Sequence, residues 1–294
     1  MRFLFMSFIL FSSAFAIAID FPIQMPKTSS NYLFTESINS QVGFSVSQTD
    51  SALSDLFNKT VTPAKSELCG PTTVANQMAL YKLSQPALYN NLALKFSPQD
   101  GNYVNQVREY FDLCKTNPVN GTLIVNLSNC LSQIFLASGY SNAEVKVVGP
   151  ELVPNLDPKF STPPHVIGIK DISEAFKNGY GVILEIKWFE PVETAGSVTW
   201  TTNSGHYVLV VGYDYDESFG DQKIILKVVN PEVNYMSRDA YQRFDNIEMM
   251  KIPKKPGIQY PAGSDYILDG YSFKGYPKRA FVKYLILNKP NAGH

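Results

Sequence analysis

The stretch GHYVLVVGYDYDESFGDQKIILKVVN, residues 205–230, decides the predicted fold. Two apolar runs flank an acidic segment that contains glycine, a pattern typical of an antiparallel hairpin. A hairpin centred on Ser218 places His206 directly opposite Asn230, on a face that is otherwise apolar or glycine. The sequence therefore predicts one polar pair at the rim of an apolar sheet face, although a bulge in either strand would shift this register.

A histidine held by an amide has the arrangement of a catalytic base, because the amide fixes the tautomer and orientation of the ring. The same pair also fits a hydrogen-bonded core histidine beside a strand-end asparagine, and the hairpin alone favours that interpretation. The other histidines are weaker candidates, since His165 follows two prolines and His294 is terminal.

The segment LCGPTTVANQMALYKL, residues 68–83, predicts a helix that begins near Cys69. Pro71 suits a first helical turn, and Val74, Met78 and Tyr81 share one face that we expect in the core. Cysteine caps helices poorly, but a helix N-terminus stabilises a thiolate and lowers the thiol pKa. Cys69 is thus predicted to be a nucleophile, and the alternative is a small buried residue.

Three cysteines are present, and in an oxidising compartment an odd number suggests one pair and one free thiol. Cys114 and Cys130 are the natural pair because they would close a short loop, which leaves Cys69 free.

The first 18 residues carry Arg2, an apolar run and a small-residue A-x-A site, which together indicate a cleaved secretory signal peptide rather than a membrane anchor. We expect an N-terminal extension over 19–60, one domain over 61–294, and a secreted (extracellular or periplasmic) protein without stable membrane association. The net charge of −1 disfavours nucleic acid as a partner, and the few histidines and absent metal motifs predict neither metal nor cofactor. Loops and extended segments are predicted for most of the last 60 residues, with a final apolar run RAFVKYLIL.

Four segments, LCGPTTVANQMALYKL, DISEAFKNGYGVILEI, GHYVLVVGYD and KVVNPE, together resemble the C39-like peptidases of the papain-like superfamily. The resemblance runs from about residue 63 to 232. It implies an α+β papain-like fold, in which a helical part carrying Cys69 packs on an antiparallel β-sheet carrying His206 and Asn230. These peptidases place a glutamine about six residues before the cysteine as an oxyanion donor, whereas this chain has Pro63 there.

The resemblance implies a monomeric, secreted cysteine peptidase or amidase that acts on a peptide or protein through a Cys69–His206–Asn230 triad and a thioester. Two alternatives remain open at this point. One is a catalytically degenerate binding module, favoured by the missing glutamine, and the other is an acyl or peptidyl transferase that uses the same triad.

Overall fold

A computed structural model describes residues 28–32, 47–48, 53, 65–84, 86–89, 91–92, 102–194, 197–233, 244–256, 258–261, 263–269 and 279–291. The predicted signal peptide, Pro63 and His294 lie outside these residues. Within the described ranges, no helix is both long enough and apolar enough to cross a bilayer.

Five α-helices and eight β-strands make up the described parts of the chain. The helices are α1 (Cys69–Ser84), α2 (Pro86–Tyr89), α3 (Asn102–Leu113), α4 (Ile124–Ala137) and α5 (Ile169–Lys177). The strands are β1 (Thr28–Tyr32), β2 (Glu144–Val148), β3 (Gly181–Thr194), β4 (Ser197–Asp216), β5 (Lys223–Val229), β6 (Asp245–Lys251), β7 (Tyr266–Asp269) and β8 (Arg279–Lys289). A 3₁₀ turn, Lys65–Leu68, leads directly into α1.

Six antiparallel strands close into a barrel in the order β4–β3–β8–β7–β6–β5, and β5 pairs back onto β4. Two further strands extend the sheet outside the ring, where β1 pairs with the end of β4 and β2 pairs with the end of β8. Closure leaves the six ring strands with neighbours on both sides, so the ring has no free edge over its paired length.

The apolar strand runs arise because both faces of β3, β4 and β8 are buried. In β3, Val182 and Leu184 point into an inner cluster that the apolar face of α5 joins. Ile183 points the other way, into an outer cluster shared with α1, α3 and α4. Strands covered on both faces are expected to be almost continuously apolar rather than alternating.

Helix α1 lies at the centre of the outer cluster and is buried around its whole circumference. Val74, Met78 and Tyr81 are in the core, as predicted, but the polar Asn76 and Gln77 are fully buried as well. The helix therefore has no solvent-facing stripe, and its position is set by the β-sheet on one side and by other helices on the other.

A disulfide joins Cys114, just after α3, to Cys130 in α4. Both of these half-cystines are fully buried, and Cys69 remains a free, buried cysteine.

The described pieces of the 19–60 segment contact the rest of the chain. Strand β1 lies along β4, with Tyr32 paired to Gly212. The backbone N–H of Gln48 donates to the carbonyl oxygen of Pro231 at 2.7 Å, and Leu53 is fully buried in the outer cluster.

The predicted fold class, a papain-like α+β arrangement of helices on a sheet, is wrong. The chain forms a closed barrel with two extra strands and few helices, and most of its regular structure is sheet. The error arose in the last 60 residues, where the predicted loops and extended segments include the paired strands β6 and β7. These two short strands bridge β5 to β8 and thereby close a sheet that the prediction had left open.

Candidate active site

Cys69 is the first residue of α1, and its sulfur faces the backbone of β4. The backbone N–H groups of Tyr207 and Gly70 donate hydrogen bonds to the sulfur. The hydroxyl of Thr73, one turn along α1, donates to the carbonyl oxygen of Tyr207 at 3.1 Å. Two hydrogen bonds on one residue of β4 therefore fix the first turn of α1 against the barrel.

Tyr207 is open to α1 because β5 ends before reaching it. The last residue of β5 is Val229, which pairs with Leu209, two residues further along β4. In an antiparallel strand, the N–H and C=O of one residue point to the same side. Where β5 stops, the start of α1 takes over both backbone groups of Tyr207.

Gly70 permits this approach because the neighbouring loop leaves no room for a side chain. A Cβ added to Gly70 would lie 2.3 Å from the hydroxyl oxygen of Thr122. That hydroxyl is 2.7 Å from the hydroxyl of Thr116, and the carbonyl of Thr122 accepts from the hydroxyl of Tyr207 at 3.0 Å. The glycine after Cys69 is thus required by close packing rather than by backbone conformation.

His206 and Asn230 contact each other directly, with 2.9 Å between Nε2 of the ring and Oδ1 of the amide. Oδ1 also accepts the backbone N–H of Glu232 at 3.0 Å, which identifies this atom as an oxygen acceptor. Nε2 must therefore carry the proton that is shared with Asn230. In the neutral ring, Nδ1 is then the nitrogen that can take a proton.

The two residues meet across a register that differs from the predicted one. Val210 pairs with Val228 rather than with Leu226, and a bulge follows between Val210 and Gly212. The shift near the site is two residues, an even number, so it keeps the side chains on the predicted face. His206 and Asn230 are diagonal neighbours rather than directly opposed.

Cys69 and His206 line one pocket of about 370 Å³. Residues 120–125, Glu151, Val153 and Pro154 also line it, and β3 and β8 contribute the charged residues Glu185, Lys187 and Lys283. On the barrel side, the ring of Trp188 packs 5.5 Å from that of His206. The site therefore lies where the start of α1 meets the barrel wall.

Burial dominates the electrostatics of the thiol. It raises the pKa of Cys69 from 9.0 to about 12, even though two backbone N–H groups favour the thiolate. The carboxylate of Glu67 raises this pKa further. The prediction that the helix N-terminus lowers the thiol pKa is therefore wrong, because the sulfur is shielded from water.

Burial also lowers the pKa of His206, against the opposing influence of Glu232 and the hydrogen bond to Asn230. Both groups are consequently neutral near pH 7. The pocket is therefore lined by a neutral thiol and a neutral imidazole rather than by a thiolate and an imidazolium.

Sequence reasoning missed the charged residues of the pocket wall. Glu185 and Lys187 interrupt the apolar run VILEIKWF two residues apart, which places both on the same face of β3. Two charged residues at this spacing in an otherwise apolar strand could have indicated a polar site on that face. Their ion pair is 2.8 Å long, and the Glu185 side chain is only 8% exposed.

The remaining histidine that the structure describes lies elsewhere. His165 is exposed, and its Nε2 is 2.8 Å from a carboxylate oxygen of Asp171 at the start of α5. Among the described residues, no group of three or more His, Cys, Asp or Glu side chains is arranged to hold a metal ion.

No protein-family model matches this chain, and a comparison with curated proteins also found no match.

Proposed function

We propose that the protein is a cysteine-dependent hydrolase that cleaves a peptide or amide bond, with Cys69 as nucleophile and His206 as base. The observation that carries this proposal is the shared pocket. It holds a free cysteine at a helix N-terminus and a histidine whose Nε2 proton is directed to Asn230. A nucleophile, a base and a group that orients the base are the three elements of such sites.

The proposed reaction begins from the neutral pair. As the sulfur of Cys69 attacks the substrate carbonyl carbon, the thiol proton passes to Nδ1 of His206, and the carbonyl oxygen becomes an oxyanion. The imidazolium then protonates the leaving amine as the C–N bond breaks, which leaves a thioester on Cys69. Neutral His206 next takes a proton from water as the resulting hydroxide attacks the thioester. The C–S bond then breaks, the acid product leaves, and the imidazolium returns its proton to the sulfur, which restores the thiol.

This reaction has few hydrogen-bond donors to stabilise the oxyanion. The backbone N–H of Cys69 at the helix N-terminus is the donor we assign. Pro63 occupies the position where the resembled peptidases have a glutamine. Since loss of one oxyanion donor raises a barrier by about 2.7–4 kcal/mol, we expect slow turnover.

Asn230 acts in this proposal as a positioning residue. Its amide oxygen holds the Nε2 proton and thereby keeps Nδ1 unprotonated in the neutral ring. Replacement by alanine should lower kcat more than it raises KM, because the ring loses its tautomer and orientation rather than its contact with substrate.

The test is hydrolysis of a defined peptide pool, followed by mass spectrometry, for the native chain and for Cys69→Ala and His206→Ala. Both variants should lose cleavage by a factor of about 100 or more. The exposed histidine gives a matched control, and His165→Ala should retain activity. Cleavage that persists in Cys69→Ala, or a folded native chain that cleaves nothing, would contradict the proposal.

A second candidate is a binding module whose triad does not turn over. The observation in its favour is the thiol pKa of about 12, which leaves the site without a preformed thiolate nucleophile. In that case peptides should bind the native chain and Cys69→Ala equally well, and neither should give products.

We further propose that the protein works outside the cytoplasm. The signal peptide predicted over 1–18 lies outside the described residues, so this proposal depends on the sequence and on the disulfide. Disulfides persist mainly in oxidising compartments.

A further inference from the structure

Glu185 is a buried carboxylate in the pocket wall with one oxygen left unpaired. Its Oε1 accepts from the ammonium group of Lys187 at 2.8 Å. Its Oε2 is shielded from water and has no hydrogen-bond partner among the described residues. A buried, unpaired carboxylate oxygen is unfavourable, and in a native protein it calls for an explanation.

The nearest tyrosines do not supply the missing donor. Tyr207 and Tyr284 are the residues paired with Glu185 on the two neighbouring strands. Burial raises the pKa of both tyrosines, and the charge of Glu185 adds to the effect. The Tyr207 hydroxyl donates to the carbonyl of Thr122, and the Tyr284 hydroxyl donates to Glu151. Each tyrosine therefore directs its proton away from Glu185.

The pocket is also acidic as a whole. Three carboxylates line it, and the two ammonium groups that line it already form ion pairs, Lys187 with Glu185 and Lys283 with Glu151 at 2.7 Å. The lining thus has three carboxylates against two ammonium groups, and an excess of carboxylates favours a positively charged ligand. A guanidinium or ammonium group brings the N–H donors that Oε2 lacks.

Apolar groups lie beside this acidic wall. Leu123 and Val153 line the pocket, and the side chain of Leu123 is more than half exposed. Arginine and lysine both carry an alkyl stem below the charge, and such stems pack along apolar surfaces. The combination fits a long cationic side chain better than a small inorganic cation.

We propose that this pocket recognises an arginine or lysine side chain of a peptide, with the Glu185 carboxylate as the principal acceptor once its shielded Oε2 turns into the pocket. The choice of a peptide as ligand rests on the proposed function. The charge preference rests on the pocket alone. Because Oε1 is held by Lys187, the contact is a single charge-assisted hydrogen bond rather than a two-point fork.

The test measures binding to Cys69→Ser, which removes hydrolysis and leaves the pocket wall intact. The probes are capped pentapeptides of alanine with arginine, lysine, citrulline, norleucine or glutamate at the centre. Citrulline has nearly the shape of arginine without the charge, so the difference in affinity between the two peptides measures the electrostatic contribution to binding. One charge-assisted hydrogen bond in a buried site should make the arginine peptide bind about 10- to 100-fold tighter than the citrulline peptide.

Glu185→Gln in the same background should remove this preference. Glu248→Gln is the control for loss of a carboxylate from an ion pair, since Glu248 on β6 pairs with Lys223 on β5 at 2.6 Å and does not line the pocket. Should Glu185→Gln fail to fold, the arginine–citrulline comparison on Cys69→Ser still decides the matter. Equal affinity for these two peptides, or tighter binding of the glutamate peptide, would overturn the proposal.

The two proposals can fail separately. A preference for arginine without cleavage by the native chain would support this inference and count against the hydrolase. Cleavage of all five peptides at similar rates would support the hydrolase and overturn the charge preference.

Discussion

The reactivity of Cys69 toward iodoacetamide gives a quantitative test of the resting site. Iodoacetamide reacts with the thiolate, so the alkylation rate follows the thiolate fraction. A thiol pKa of about 12 in place of 9.0 leaves roughly a thousandfold less thiolate near neutral pH. We therefore expect the folded chain to be alkylated about a thousand times more slowly than the chain unfolded in guanidinium at pH 7.5.

The assay is simple because the other two cysteines form the disulfide and do not react without a reductant. Mass spectrometry of quenched samples then reports Cys69 alone. The variant His206→Ala separates the two possible charge states of the site. In a neutral pair, removing the imidazole should change the slow rate by no more than about threefold, since the ring does not stabilise a thiolate.

A thiolate–imidazolium pair would give the opposite pattern. The folded chain would be labelled as fast as the unfolded chain or faster at pH 6–7, and His206→Ala would slow the labelling more than tenfold. Either result would refute the argument that burial keeps the pair neutral, and the proposed proton transfer during attack would have to be replaced by attack of a preformed thiolate.

Three further predictions concern stability and pH. Gly70→Ala should lower the free energy of unfolding by about 1–3 kcal/mol in urea titrations, because its Cβ would collide with Thr122, whereas Gly168→Ala, with its nearest neighbours at 3.8 Å, should cost less. Equal losses would contradict the packing argument. The hydrogen bond to Asp171 raises the pKa of His165 above 6.5, so the stability that His165 contributes should be present below pH 6.5 and lost as pH rises through the raised value. The native chain should thus exceed His165→Gln in stability at pH 5 and match it at pH 9, and a constant difference would exclude this origin. Reduction of the disulfide, which spans a sequence separation of 16, should cost about 3 kcal/mol, and an unchanged urea midpoint with dithiothreitol would contradict that value.

The central hairpin could be predicted from sequence because its signal is local. Two apolar runs around an acidic segment identified β4 and β5, and Val208, Val210 and Val228, on the face predicted for His206, do point into the inner cluster. The register could not be obtained in the same way. The prediction assumed a symmetric turn about Ser218, whereas a 3₁₀ turn and a bulge at Val210/Gly212 displace one strand relative to the other.

The closed barrel could not be predicted because its closing strands are short and only partly apolar. In β6, Ile247 and Met249 alone are fully buried, and β7 has four residues. Such strands are stabilised by their neighbours rather than by their own pattern. The barrel closes through strand pairings between residues far apart in the chain, so no short segment of sequence predicts the closure.

The position of Cys69 could be predicted, but its acidity could not. The helix start was visible in the sequence, and the expected effect of its N–H groups has the right sign. What reverses the result is burial by the segment around Thr122, some 50 residues away in the chain, together with β4. Desolvation depends on such long-range packing and exceeds the contribution of one helix end.

Strand β1 has a practical consequence for anyone who shortens the chain. A fragment that begins at residue 61 would lack the partner of Gly212–Asp216 and would expose those backbone N–H and C=O groups along the outer edge of β4. Bare edges of this kind recruit strands from other molecules and seed insoluble aggregates. We therefore expect soluble expression to require the residues upstream of the predicted domain, and a fragment from 61 onward to accumulate in inclusion bodies.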